Sequence, residues 1–139
     1  MILQTIGAFL AVISFSLILE LPKKHLLLAG GIGAASWLSY LLVVAAVDSV
    51  TTAAFISSLL VALSSHLSAR IFKVPVTVFL VAGILPSVPG ASIYRCVSYM
   101  IQNNTDLSSQ YFVETLQISG AIAMAIFITD SLFRLIQKK

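Results

Sequence analysis

Residues 83–95 read GILPSVPGASIYR, and the fold turns on how this stretch is read. It lies within an apolar run, Val74 to about Gln102, long enough to cross a bilayer. Pro86 and Pro89 each lack an N–H and disfavour helical backbone at the residue before, so Leu85 and Val88 are expected to be extended and PSVPG unwound. Val74–Leu85 would give about 18 Å of helix and Gly90–Gln102 about 20 Å, each short of a hydrocarbon layer of about 30 Å. Together they reach across it, with the break near the midplane. Unpaired backbone at that depth is tolerated only where protein or a water-filled cavity surrounds it, which places this segment in the interior.

The second half-helix would begin near Gly90, where a missing side chain admits close approach. Its free N–H groups carry partial positive charge and suit a carboxylate, with Ser92 beside them. Ser92, Arg95, Tyr99 and Gln102 fall on one face, opposed to Ile93, Val97 and Met100. A polar stripe holding one arginine is what an anion path needs. The competing reading is a re-entrant hairpin or a kink that only shapes packing, with Arg95 snorkelling outward.

Outward from this stretch, 59% of the 139 residues are hydrophobic and only 9% charged, against about a quarter charged in soluble domains. With a mean hydropathy of +1.05, the chain reads as one all-α integral membrane domain over residues 1–139, its solvent the lipid bilayer. Five spans emerge, at about 2–19, 26–47, 49–69, 74–102 (the broken one, at Pro86–Gly90) and 110–136. Pro22 closes the first, Asp48 caps the third, and the polar NNTDLSS turn separates the last two. The first span resembles a signal peptide in length, but its lysines follow rather than precede it.

Charge gives the orientation. Lys23, Lys24, Arg70, Lys73, Arg134, Lys138 and Lys139 fall on one side if the N-terminus is outside and the C-terminus inside, leaving only Arg95 of the 8 basic residues within a span. The net charge of +3 contains no basic run longer than two residues, so nucleic acid is not a partner. An odd number of spans means that two such units paired head to tail lie inverted, the arrangement of many transporters. Small residues four apart, Ala29/Gly33, Gly30/Ala34, Gly31/Ala35 and Ala54/Ser58/Ala62, predict close helix packing within the chain, against a partner subunit or in a homo-oligomer. Trp37, in mid-span, lines a cavity or fills core.

Among the ionisable residues, Glu114 lies a turn inside the outer end of the last span, with Gln117 on its face, and is the first candidate to carry a coupling proton. The alternative is a solvated acid at a helix start. His66 is the second candidate, against an ordinary interfacial histidine. Asp130 and Arg134, four apart on the face opposite Glu114, are expected to pair. Cys96 reads as a small apolar filler. No metal cluster is apparent, no cofactor is called for, and Ser65 beside His66 on one helix does not make a nucleophile–base pair, so the chain is not read as an enzyme.

The stretch SARIFKVPVTVFLVAGILPSVPGASIYR resembles the signature region of the threonine/serine exporter family, with its P-x-x-P-G-x-x-x-Y-R pattern on Pro86, Pro89, Gly90, Tyr94 and Arg95. Family members are either fused chains of about ten spans or pairs of a larger and a small subunit. This chain resembles the small one, equivalent to the C-terminal half. The resemblance implies proton-driven export of threonine, serine or related small carboxylates across the cytoplasmic membrane, with a larger five-span partner. The substrate-binding candidates are then Pro86, Pro89, Gly90, Ser92, Tyr94, Arg95 and Tyr99. Many members carry glycine where Cys96 stands. The other reading of the chain is a non-transporting scaffold or assembly subunit, for which the small-residue faces suffice.

Overall fold

The computed structural model describes residues 1–138, so Lys139 of the charged tail lies outside it. Six helices follow one another: α1 (Ile2–Ile18), α2 (Leu26–Val47), α3 (Val50–Phe72), α4 (Thr77–Ile84), α5 (Gly90–Ile101) and α6 (Thr105–Gln137). Single 3-10 turns over Lys23–His25 and Leu85–Ser87 complete the secondary structure. Helices α2, α3 and α6 are each long and apolar enough to cross a membrane, and α4 with α5 makes a fourth such unit bent by 47° at the break. The chain is an all-α membrane protein.

Local chemistry sets the helix ends, and two differ from expectation. Asp48 does not cap α3. It closes α2 in the left-handed region (φ 53°), and Ser49 is the cap, its side chain accepting from the Thr52 N–H at 3.3 Å. Similarly, α6 opens at Thr105 rather than 110, because the Asn104 side chain accepts from the Leu107 N–H at 3.2 Å and Asp106 complements the first turn. Most of the polar turn is therefore helix. Its 33 residues give α6 a length of about 50 Å, well beyond the hydrocarbon thickness.

Helices α1 to α4 enclose a core of Val12, Ala29, Ile32, Val61, Phe79 and Ala82. Helix α6 lies along α3, and α5 packs against α6 alone. Large apolar residues such as Leu3, Leu27, Ile71, Phe127 and Leu135 stand exposed on the outside, as lipid-facing surfaces require. His25, expected in a loop, is 2% exposed, its ring edge-on to Phe72 at 5.0 Å and Phe79 at 5.6 Å. It seats the α1–α2 connection on the end of α3 and the start of α4, with neither ring nitrogen hydrogen-bonded.

Two of the small-residue pairs on α2 serve the α1 contact. A Cβ on Gly33 would stand 2.5 Å from Val12 Cγ2, and one on Gly30 would stand 2.8 Å from Ile13 Cγ1. Gly31, by contrast, has nothing within 4 Å and faces out with Ala35. Ala54, Ser58 and Ala62 are all buried on α3. Gly33→Ala is therefore expected to cost about 1–3 kcal/mol through overpacking, read as a lower melting temperature in detergent. Gly31→Ala should leave the temperature unchanged, and adding Val12→Ala to Gly33→Ala should restore much of the loss.

Candidate functional site at the helix break

The break is shorter than the sequence suggests. Leu85 is not extended but helical (φ −49°, ψ −45°), since Pro86 occupies an early position in a 3-10 turn where its missing N–H is not needed. The Val88 N–H closes that turn on the Leu85 carbonyl at 3.3 Å. Only Val88, extended as expected (φ −62°, ψ 133°), and Pro89 interrupt the helix.

Serines anchor the break to its neighbours. Ser87, 4% exposed, meets Ser57 of α3 at 3.1 Å between hydroxyl oxygens. Ser57 already donates its one hydroxyl proton to the Ala54 carbonyl at 3.1 Å, so Ser87 is the donor between them. The Ser36 hydroxyl of α2 donates to the Ser57 carbonyl at 3.4 Å. These three serines were not singled out from sequence.

At the start of α5 the Gly90 N–H donates to the Val88 carbonyl at 2.8 Å and the Ile93 N–H to the Pro89 carbonyl at 3.1 Å. Among the described residues the Ala91 and Ser92 N–H groups have no backbone acceptor. Both residues line a cavity of about 110 Å³, walled also by Pro86 to Pro89, by Trp37 and Tyr40 of α2, and by Ile118 of α6. The Trp37 and Tyr40 rings stack at 5.0 Å, which fixes this wall. Such a volume is below the roughly 150 Å³ of a cavity that holds benzene, so it takes one end of a small molecule, such as a carboxylate, rather than a whole amino acid. Trp37 and Pro86 also wall a more open cavity of about 370 Å³, shared with Gln4, Ala8 and Ala11 of α1.

The Ser92 hydroxyl donates to Glu114 Oε1 at 2.6 Å, which brings together two candidates that the sequence had left separate. One turn further along the antiparallel α5–α6 pair, the Tyr111 ring stacks on Tyr99 at 5.6 Å and carries the Arg95 guanidinium at 5.5 Å. Arg95 is exposed, as are Gly90 and Tyr94, the last at 74%. The predicted stripe thus divides. Ser92 turns to the cavity and Tyr99 to α6, while Arg95 and Gln102 are exposed. Gly90 makes no close approach within the chain, since an added Cβ would meet nothing within 4 Å. Cys96 is buried, with its Sγ 3.7 Å from the Ser108 hydroxyl.

His66 lies elsewhere. Its ring stacks on Phe133 at 4.4 Å, its Nε2 is 3.7 Å from Asp130, and Asp130 in turn accepts from Arg134 Nε at 2.7 Å, the expected pairing. Arg70 covers Phe133 at 4.9 Å. Sixteen residues of α6, about 24 Å, separate Asp130 from Glu114.

A family model described as Threonine/Serine exporter, ThrE matches residues 4–132. The chain belongs to the threonine/serine exporter family. It is thus of a transporter family rather than an enzyme family. No curated protein and no solved structure matched the chain. Of the motif residues of this exporter-family chain, Pro86 and Pro89 wall the cavity, and Gly90, Tyr94 and Arg95 face outward from the α5–α6 pair. Ser57→Ala removes the acceptor of a buried hydroxyl and is expected to destabilise by about 1–3 kcal/mol. Ser87→Ala, which leaves Ser57 bonded to Ala54, should cost less, and thermal melts of the two variants give the order.

Proposed function

We propose that this chain is the small, five-span subunit of a two-component exporter of threonine, serine or related small carboxylates, driven by the proton gradient in the cytoplasmic membrane. The observation that carries this reading is the 110 Å³ cavity at the break, edged by the free N–H groups of Ala91 and Ser92 and by the Ser92–Glu114 hydrogen bond. A helix start facing a small cavity offers a carboxylate two backbone donors and a partial positive charge. Trp37, Tyr40, Pro86 and Pro89 shape the cavity around it. Arg95, backed by Tyr111 and Tyr99 one turn outward, is the receptor along the path between cavity and surface, with Tyr94 beside it.

In this reading α1, at 17 residues, is the fifth span, and the N-terminus lies outside with the C-terminus inside. The exposed face bearing Gly90, Tyr94 and Arg95 meets the larger five-span partner, since a cation at membrane depth requires protein or water around it. The outward Gly31/Ala35 pair offers a second face for a partner or another copy. Glu114, hydrogen-bonded to the cavity-lining Ser92, carries the coupling proton. His66, paired with Asp130 near the opposite surface, serves as a station for protons on that side.

The test is efflux of threonine and serine from cells fed a dipeptide containing them and expressing this chain with its larger partner. Wild type should speed efflux, and Arg95→Ala should reduce it about tenfold or more while the complex still assembles. Efflux indifferent to Arg95 would instead favour a scaffold. Ile118→Trp, which fills the cavity, should abolish efflux with assembly intact.

A further inference from the structure

Glu114 has a feature that proton carriage alone does not explain. The half-buried carboxylate accepts from Ser92, whose own residue lines the cavity where the substrate carboxylate would lodge. A negative group has been placed at the edge of a site for a negative group. The only ion pairs among the described residues are His66–Asp130 and Arg134–Asp130, so Glu114 and Arg95 do not bridge one another within 4.0 Å, although Arg95 stands only one turn along the same helix pair. Two unpaired opposite charges at membrane depth, flanking two free N–H donors, are complementary to a ligand that itself carries both signs.

We infer that Glu114 receives the ammonium group of an α-amino acid whose carboxylate is held at the start of α5, and so selects amino acids over carboxylates that lack the ammonium. This rests on the cavity being the transport site. In an α-amino acid the two charged groups are separated by a single carbon, so they can face the Ala91 and Ser92 N–H groups and the carboxylate hydrogen-bonded to Ser92 together. Trp37 and Tyr40 wall the side of the cavity where the carboxylate end lodges.

A carboxylate that must be ionised to hold ammonium cannot hold a proton at the same time, so substrate and proton exclude one another at Glu114. Of the charged or titratable groups nearby, Tyr40 of α2 lies within electrostatic reach of Glu114, and Arg95 and Tyr99 of α5 cluster with Tyr111 one turn along the helix pair. None is a second acid. That exclusion is the condition for exchanging one against the other across a membrane.

Threonine and 3-hydroxybutyrate, which share a skeleton and differ by the amino group, separate the possibilities in efflux from cells expressing the chain with its partner. Glu114→Gln should lower the ratio of threonine to 3-hydroxybutyrate efflux by about tenfold or more, and Glu114→Asp should recover part of it. An unchanged ratio in Glu114→Gln overturns the ammonium assignment and leaves the exporter reading standing. Equal loss of both compounds from an assembled complex also overturns it, because Glu114 then acts on something other than ammonium. If wild type moves neither compound, the exporter reading itself falls, and this inference with it.

Discussion

Hydrocarbon supplies no hydrogen bonds, and every feature around residues 85–92 follows from that constraint. A helix broken by two prolines inside an apolar chain must find partners for its freed backbone groups or sit beside water. The protein satisfies part of this need within itself. A 3-10 turn absorbs Pro86, and the Ser36, Ser57 and Ser87 hydroxyls tie the turn to α2 and α3. At the break the Ala91 and Ser92 N–H groups remain without a backbone acceptor, on residues that line the cavity.

The helices around the break can be understood as support for it. Gly30 and Gly33 let α1 lie against α2, and Gly83 brings α4 close to Val61 and Ile32, where a Cβ would stand 3.0 and 3.1 Å away. Close packing of α1 to α4 fixes the Trp37–Tyr40 wall. Helix α5 packs chiefly on α6, and α6 is held to the other helices by its long contact along α3.

Much of this was legible in the chain, for physical reasons. Apolar length and flanking lysines mark the spans, because lipid imposes both. The prolines mark the break, and the motif on Pro86, Pro89, Gly90, Tyr94 and Arg95 marks the family. The local geometry was less legible. Leu85 turned out helical because a 3-10 turn accommodates proline at its start, and that turn carries Ser87 to a contact with Ser57, 30 residues away. Asp48 lost the cap to Ser49, which differs by one position and by a left-handed backbone that no periodicity reveals. The meeting of Ser92 with Glu114 required the antiparallel register of α5 on α6, and the burial of His25 required the ends of α3 and α4 to converge on it. Such contacts are tertiary, and spacing along one helix does not contain them.

The central claim is that the start of α5 opens onto a water-accessible cavity at membrane depth that receives the substrate's carboxylate. It is tested most directly by a cysteine at position 91 as the sole thiol, Ala91→Cys with Cys96→Ala, in the assembled complex in membranes. The account predicts modification by a small water-soluble thiosulfonate reagent, slowed by threonine present at saturating concentration. No modification, at a rate matching that of a cysteine placed at lipid-facing Phe127, would mean that the break is dry and packed, and would contradict the account.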